Sequence, residues 1–312
     1  MPCGKMMADI ENPPEGFQLV REGRTVGWVK EGFDSLLHEL GGWERGWSSE
    51  RGPVSGSSPE APSPHYRGRG EVFRVPLNPS SDEYAVIRHY RRGGLVRHFL
   101  GDLYPGPSRF FREARITEKA RALGIPTAEV LAVRAERVGF AFYRGDLVTR
   151  QIRESEDLGE FLRGCLESRQ KPEGDLKGKI SRSVAALLRK MHDCGLVHAD
   201  LNVKNILLNS RHGTVKAFVI DLDRARFVEP LPESLRIRNL QRLYRSLEKQ
   251  GFMGSVVSEP DGIGFVRDYC RDGSTIERTL LRLLRSGSLS MRYHRFWWRL
   301  AGSSGRNLEK GS

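Results

Sequence analysis

The stretch from His198 to Asn205 reads His-Ala-Asp-Leu-Asn-Val-Lys-Asn, and Asp221-Leu-Asp223 begins sixteen residues after Asn205. Few folds can satisfy this stretch together with its flanks. Ile180, Val184, Leu187, Leu188 and Met191 precede it at offsets 0, 4, 7, 8 and 11, one face of an amphipathic helix over 177–193. The chain then turns through Gly195, and apolar residues at 197, 201, 206 and 207 can anchor the following loop in a core. Short strands are expected at Asn205–Leu208 and Val215–Ile220, and Asp221 ends the apolar run Ala217–Ile220. Asp200, Asn202 and Asn205 are therefore presented from a rigid base.

Two carboxylates and an amide at this spacing suit ATP-dependent phosphoryl transfer. Asp200 is placed to accept the proton of an attacking hydroxyl. Asn205 and Asp221 offer the hard oxygen ligands that hold Mg2+ on nucleotide phosphates. His198 is expected to be structural, bonding backbone near Asp221. The spacing resembles that of the catalytic and metal loops of the protein-kinase-like fold.

The rest of the chain fits an α+β, two-lobed molecule with a small β-rich N-lobe and a helical C-lobe. Residues 1–65 read as an N-terminal extension. It holds a short ordered element with β-like alternation over 16–40 and a Ser/Pro/Gly-rich linker over 48–64. Residues 66–150 read as a nucleotide-binding N-lobe and 151–312 as the C-lobe carrying the catalytic and metal loops. Glu71–Leu77 and Tyr84–Tyr90 alternate around the turn cluster Asn78–Asp82 and predict an antiparallel hairpin. Gly68 and Gly70, just before it, are candidates for a glycine-rich loop over the phosphates, and fit an ordinary hairpin turn equally well.

Arg88 ends the run Ala85-Val-Ile-Arg88, where a phosphate-pairing Lys stands in kinases, and Glu113 on the next helix is its candidate ion-pair partner. That helix is expected over Arg109–Leu123, capped by Ser108 and stopped by Gly124-Ile-Pro126. Strands are expected at 129–134 and 138–149. Asp157 is expected to cap a helix with Leu158, Phe161, Leu162, Cys165 and Leu166 on one stripe. A further helix over Leu235–Gln250 turns Ile237, Leu240, Leu243 and Leu247 inward.

The 312-residue chain carries 51 basic and 39 acidic residues, a net charge of +12. Such a charge speaks to partners rather than fold. It permits an anionic acceptor or an anionic membrane surface, and no nucleic-acid reading motif accompanies it. The segment Tyr293–Leu300 mixes aromatics with arginine, a pattern suited to membrane contact or to core packing. No apolar run reaches the roughly 18 residues needed to span a bilayer. Residues 1–15 lack the apolar centre of a secretory signal, so a cytosolic location is expected. The cysteines at 3, 165, 194 and 270 have no metal-type spacing and read as reduced thiols.

Three motifs resemble the lipopolysaccharide core kinases of the Kdo kinase and heptose kinase (WaaP) type, Kdo being 3-deoxy-D-manno-octulosonic acid. They are Val86-Ile-Arg-His-Tyr-Arg-Arg-Gly-Gly94, the His198–Leu208 run with Val219–Asp223, and Arg238-Asn-Leu-Gln-Arg-Leu-Tyr-Arg-Ser-Leu247. Asn202 stands where protein kinases usually have Lys, and no Ala-Pro-Glu element follows Asp221. The resemblance implies ATP, Mg2+ and a sugar hydroxyl of the lipopolysaccharide inner core, with Kdo on Kdo-lipid A preferred. It implies an anionic glycolipid partner, no obligate protein partner, and a location on the cytoplasmic face of the bacterial inner membrane. A heptose kinase, a small-molecule or protein kinase, and a non-catalytic kinase-like module that binds membrane remain as alternatives.

Overall fold

The computed structural model describes residues 10–34, 72–77, 82–91, 101–168, 175–211, 213–270, 276–282 and 284. Gly68, Gly70, the 48–64 linker and Tyr293–Leu300 lie outside the described residues.

A seven-stranded antiparallel sheet forms the N-terminal half. Its strands are β1 (Phe17–Glu22), β2 (Thr25–Lys30), β3 (Val72–Pro76), β4 (Tyr84–His89), β5 (Tyr104–Pro105), β6 (Val130–Val138) and β7 (Phe142–Arg150). The order is β1-β2-β6-β7-β4-β3, with β5 on β7. The expected hairpin is present, with Val72 opposite Arg88 and Pro76 opposite Tyr84. Placing residues 1–65 apart from the N-lobe needs correction. β2 pairs with β6, Trp28 facing Val133, so Phe17–Lys30 belongs to the sheet. The alternation predicted these strands, but their partner lies a hundred residues further along the chain.

Helix α1 (Ser108–Ala122) packs on β6 and β7. Its Phe110, Phe111 and Ala114 bury against Trp28, Val130, Val133 and Leu147, and Trp28 meets Phe111 edge-on at 4.8 Å. Pro107, not Ser108, is the N-cap, and no side chain caps this helix. Gly145 on β7 leaves the room this packing needs, since a Cβ there would sit 2.5 Å from the Phe110 ring.

The C-terminal half is built on α2 (Leu158–Ser168), α3 (Leu176–Asp193), α4 (Glu233–Lys249) and α5 (Glu259–Cys270). Asp157 caps α2 as expected, accepting from Glu160 N at 2.9 Å. Leu158 and Leu162 are buried, but Leu166 at the far end of the expected stripe is exposed. All five residues of the predicted α3 face are buried. An apolar cavity of about 480 Å³ lies between these helices, bordered by Phe161, Ile180, Leu240, Tyr244 and Phe265.

Three small elements then set the chemistry in place. β9 (Leu196–Val197) pairs with β12 (Arg226–Phe227). β10 (Ile206–Arg211) and β11 (Thr214–Val219) form a hairpin with Ile206 opposite Val219. β8 (Ser155–Asp157) joins the outer side of β10.

Candidate functional site

The hairpin register explains why two loops far apart in sequence meet. With Ile206 opposite Val219, Asn205 stands opposite Ile220, and Ile220 N donates to Asn205 O at 3.0 Å. Asp221 follows immediately. The β9–β12 pair ties the same two loops at their other ends. Gly195 leads into β9 with φ +76°, and a Cβ there would lie 2.7 Å from the Val228 carbonyl, so glycine is required by both backbone and space.

His198 is structural, as the sequence suggests. Its Nδ1 accepts from Asp200 N at 3.1 Å and its Nε2 donates to Ile220 O at 3.0 Å. One ring thus links the Asp200 loop to the residue before Asp221. Burial holds its pKa below the ordinary histidine value, which keeps it in the neutral form that this pairing needs.

The loop folds on its own amides. Asn202 Nδ2 and Asn205 Nδ2 donate to Asp200 O at 2.9 and 2.8 Å, and Asn202 Oδ1 caps the short 3₁₀ turn Val203–Asn205 through Lys204 N. With the Asn205 amide nitrogen committed, its oxygen is the end left for another ligand. The Asp200 side chain is exposed and has no partner among the described residues. It is free to meet a hydroxyl.

Asp221 adopts φ +61°, in the left-handed region that Asp tolerates better than most residues. Its Oδ1 accepts from Arg88 Nη1 at 2.9 Å. The other guanidinium nitrogen of Arg88 pairs with Glu113 Oε1, the expected strand-to-helix pair. Glu113 is 1% exposed, and its second oxygen accepts from Tyr90 OH at 2.5 Å. Burial pushes the Glu113 carboxyl above its ordinary range even with Arg88 beside it. Burial also works against the Arg88 charge, but Glu113, Tyr90 and Asp221 outweigh it and hold its pKa well above the ordinary value.

Three further groups contain residues of the sequence motifs, Asp223, Asn239 and His89, to which the motifs assigned no role. Asp223 takes a two-pronged pair from Arg109 on α1, with Nε 2.6 Å from Oδ1, and Arg112 reaches its carbonyl at 3.3 Å. Asn239 on α4 is buried and holds both backbone atoms of His198, accepting from N at 3.3 Å and donating to O at 2.5 Å. His192, kept neutral by burial with its pKa near 4, stands between Asn239 Oδ1 and Tyr269 OH. Finally, His89, Asp146 and Arg134 form a buried row straight across β4, β7 and β6, on the face of β4 opposite to Arg88. Asn239 borders the apolar stripe of α4, and nothing in the helix pattern marks it as buried.

The donor set at Asn205 and Asp221, one amide oxygen and one carboxylate, fits Mg2+, which is held by few protein oxygens and completed by substrate phosphates and water. Among the described residues no cluster of three or more His, Cys, Asp or Glu side chains forms a self-sufficient metal site. No helix among them is long and apolar enough to cross a membrane.

Residues 63–261 match the model of the lipopolysaccharide kinase (Kdo/WaaP) family. The 3-deoxy-D-manno-octulosonic acid kinase of Vibrio cholerae is 30% identical over 228 residues, 70% of this chain and 84% of the relative. The enzyme of the same name from Mannheimia succiniciproducens is 29% identical over 188 residues, 59% of this chain and 74% of the relative. A solved structure described as WaaP in complex with acyl carrier protein covers 75% of this chain and 87% of its own, with 22% identity and a TM-score of 0.48. A matched span that runs from before the β3–β4 hairpin into α5 encloses both loops and the Arg88–Glu113 pair, and the chain belongs to the lipopolysaccharide kinase (Kdo/WaaP) family.

Proposed function

We propose that this chain transfers the γ-phosphate of ATP to a hydroxyl of Kdo in the lipopolysaccharide inner core, working at the cytoplasmic face of the inner membrane. The observation that carries the reading is the Asp200 carboxylate, unpartnered among the described residues, on a loop tied by hydrogen bonds to Asn205 and to the residue before Asp221. The preference for Kdo is supported by relatives named for that sugar acid at 28–33% identity. The net charge of +12 supports work against an anionic glycolipid on an anionic surface.

In this reading Asp200 accepts the proton as the acceptor oxygen bonds to the γ-phosphorus and the bond to the β,γ-bridging oxygen breaks, releasing ADP. Asn205 and Asp221 would hold Mg2+, which neutralises charge on the phosphates when bound. Arg88, fixed by Glu113, supplies a cation at the same place, and its pK leaves it charged at any working pH.

The test is incubation with ATP, Mg2+ and Kdo-lipid A, read by mass spectrometry for the gain of one phosphate. Asp200→Asn should abolish transfer while retaining nucleotide binding, and Asp221→Asn should lose magnesium-dependent nucleotide affinity as well. No transfer by a folded wild-type protein, or equal loss of nucleotide affinity in the two variants, contradicts the assignment.

A further inference from the structure

Helix α4 runs along the catalytic loop and is fastened to it at two points. Asn239 grips the backbone of His198, and Ser246 Oγ accepts from Val203 N at 3.3 Å. Between these fastenings, Arg242 Nη1 donates to Ala199 O at 2.6 Å. That carbonyl belongs to the peptide bond whose nitrogen is Asp200. A guanidinium is therefore pinned one residue from the candidate base.

The guanidinium is not used up there. Arg242 is exposed, and its only described bonds run from Nη1 to Ala199 O and, at 3.5 Å, to His198 O. The edge formed by Nε and Nη2 has no partner among the described residues. Arg238, one turn earlier on the same helical face, is exposed and likewise has none. Capping a loop carbonyl needs one N–H, which a lysine or a glutamine supplies. An outward-turned fork with a second arginine a turn away suits a carboxylate.

Such a fork answers a problem set by the acceptor. A sugar acid brings a carboxylate towards Asp200, which is itself a carboxylate, and like charges repel. We infer that Arg242, supported by Arg238, forms a subsite for the carboxylate of the acceptor sugar and selects acidic over neutral acceptors. This rests on the proposed acceptor being Kdo. The subsite is made of α4 and the catalytic loop and is separate from the groups assigned to nucleotide and metal.

The experiment compares Kdo-lipid A with its carboxyl methyl ester as acceptors. It uses the full chain, the Arg242→Gln and Arg242→Lys variants, and Arg238→Gln as a second site. A charged hydrogen bond of this kind sets the wild-type preference for acid over ester, as a ratio of kcat/KM, at roughly 10- to 100-fold. Arg242→Gln should bring that ratio to within about threefold of one, Arg242→Lys should recover part of it, and Arg238→Gln should lower it by a smaller factor. If Arg242→Gln does not fold, an acid-selective loss in Arg238→Gln still supports the subsite. Equal losses on acid and ester, as expected if these arginines grip a lipid phosphate or only hold the loop, overturn it. So does a wild-type enzyme that uses both acceptors equally. A wild-type enzyme inactive on both refutes the Kdo reading itself, and the subsite with it.

Discussion

Arg109 and Asp223 face each other as a two-pronged pair, Nε 2.6 Å from Oδ1, and join α1 to the segment that carries Asp221. Asp223 reinforces the charge on Arg109, whose pKa is held above its ordinary value. Together with Arg88, which bridges Glu113 and Asp221, the pair gives α1 two separate grips on the Asp221–Asp223 segment.

Loss of the outer grip should therefore misplace Asp221 without removing a group that touches substrate. Arg109→Gln is expected to lower kcat about tenfold or more with a smaller change in melting temperature, since a misplacement of even ~1 Å is costly to catalysis. Arg109→Lys should recover only part, because an ammonium cannot match both carboxylate oxygens. Steady-state rates with saturating acceptor check this, and an unchanged kcat in Arg109→Gln would remove the positioning role.

The inner grip has a buried end, Glu113, and should matter to stability as well. Glu113→Gln removes the buried carboxylate and leaves Arg88 with Asp221 alone as its charged partner, and a loss of about 1–3 kcal/mol is expected, together with a raised KM for ATP. Tyr90→Phe deletes one bond to the same carboxylate and should cost less, about 1 kcal/mol. Chemical denaturation curves for the two variants give the comparison. A larger loss in Tyr90→Phe than in Glu113→Gln would contradict it.

Asn239 satisfies two backbone atoms of His198 and one nitrogen of His192, all buried. Asn239→Ala orphans them and should destabilise by about 2–4 kcal/mol, with a fall in kcat as the catalytic loop loosens. Asn239→Asp keeps the acceptor but loses the donor to His198 O, so it should fall between. Equal stability of all three proteins would show that the loop is held elsewhere.

His89 sits between Asp146 and Asp102, with Arg134 on the far oxygen of Asp146 and Arg144 sharing with His89 the same oxygen of Asp102, and these two carboxylates overcome burial to raise its pKa to about 9. A raised histidine pKa contributes stability that is complete below its unfolded value near 6.5 and lost as pH rises through about 9. Unfolding free energy should fall between those limits with a slope of up to ~1.4 kcal/mol per pH unit. In His89→Gln that alkaline slope should vanish. Persistence of the slope in the variant would assign it to another group.

The parts of this molecule that follow local periodicity were legible in the sequence. The face of α3, the β3–β4 hairpin, the strands β10 and β11 though not their pairing, and the Asp157 cap all follow from patterns spanning a few turns or pairs. The Arg88–Glu113 pair was also accessible, because a strand end and the next helix are close in sequence. What escaped depends on contacts the sequence does not index. β1 and β2 showed strand alternation, yet nothing local named β6 as their partner. Arg109, Arg112 and Arg242 are arginines among 51 basic residues, and only the folded loop singles them out. Asn239 lies beside the apolar stripe of α4 and looks like a solvent residue until the loop is laid against it. Ser108 had the chemistry of a cap but not the place, since the chain enters α1 one residue earlier, at Pro107.

The two-residue ladder between Leu196–Val197 and Arg226–Phe227 closes the chain between them into a ring. Both ends of the ring are rooted in the same C-terminal core, through buried Leu196 on one side and Ala225 on the other. Asp200, Asn205 and Asp221 all lie on that ring. None of them sits on a free end, so none can fray independently of the ladder and the core that close the ring. Loosening the site from this side means opening the ladder or the core beneath it, so the frame of these three residues is as durable as the packing of the helical half.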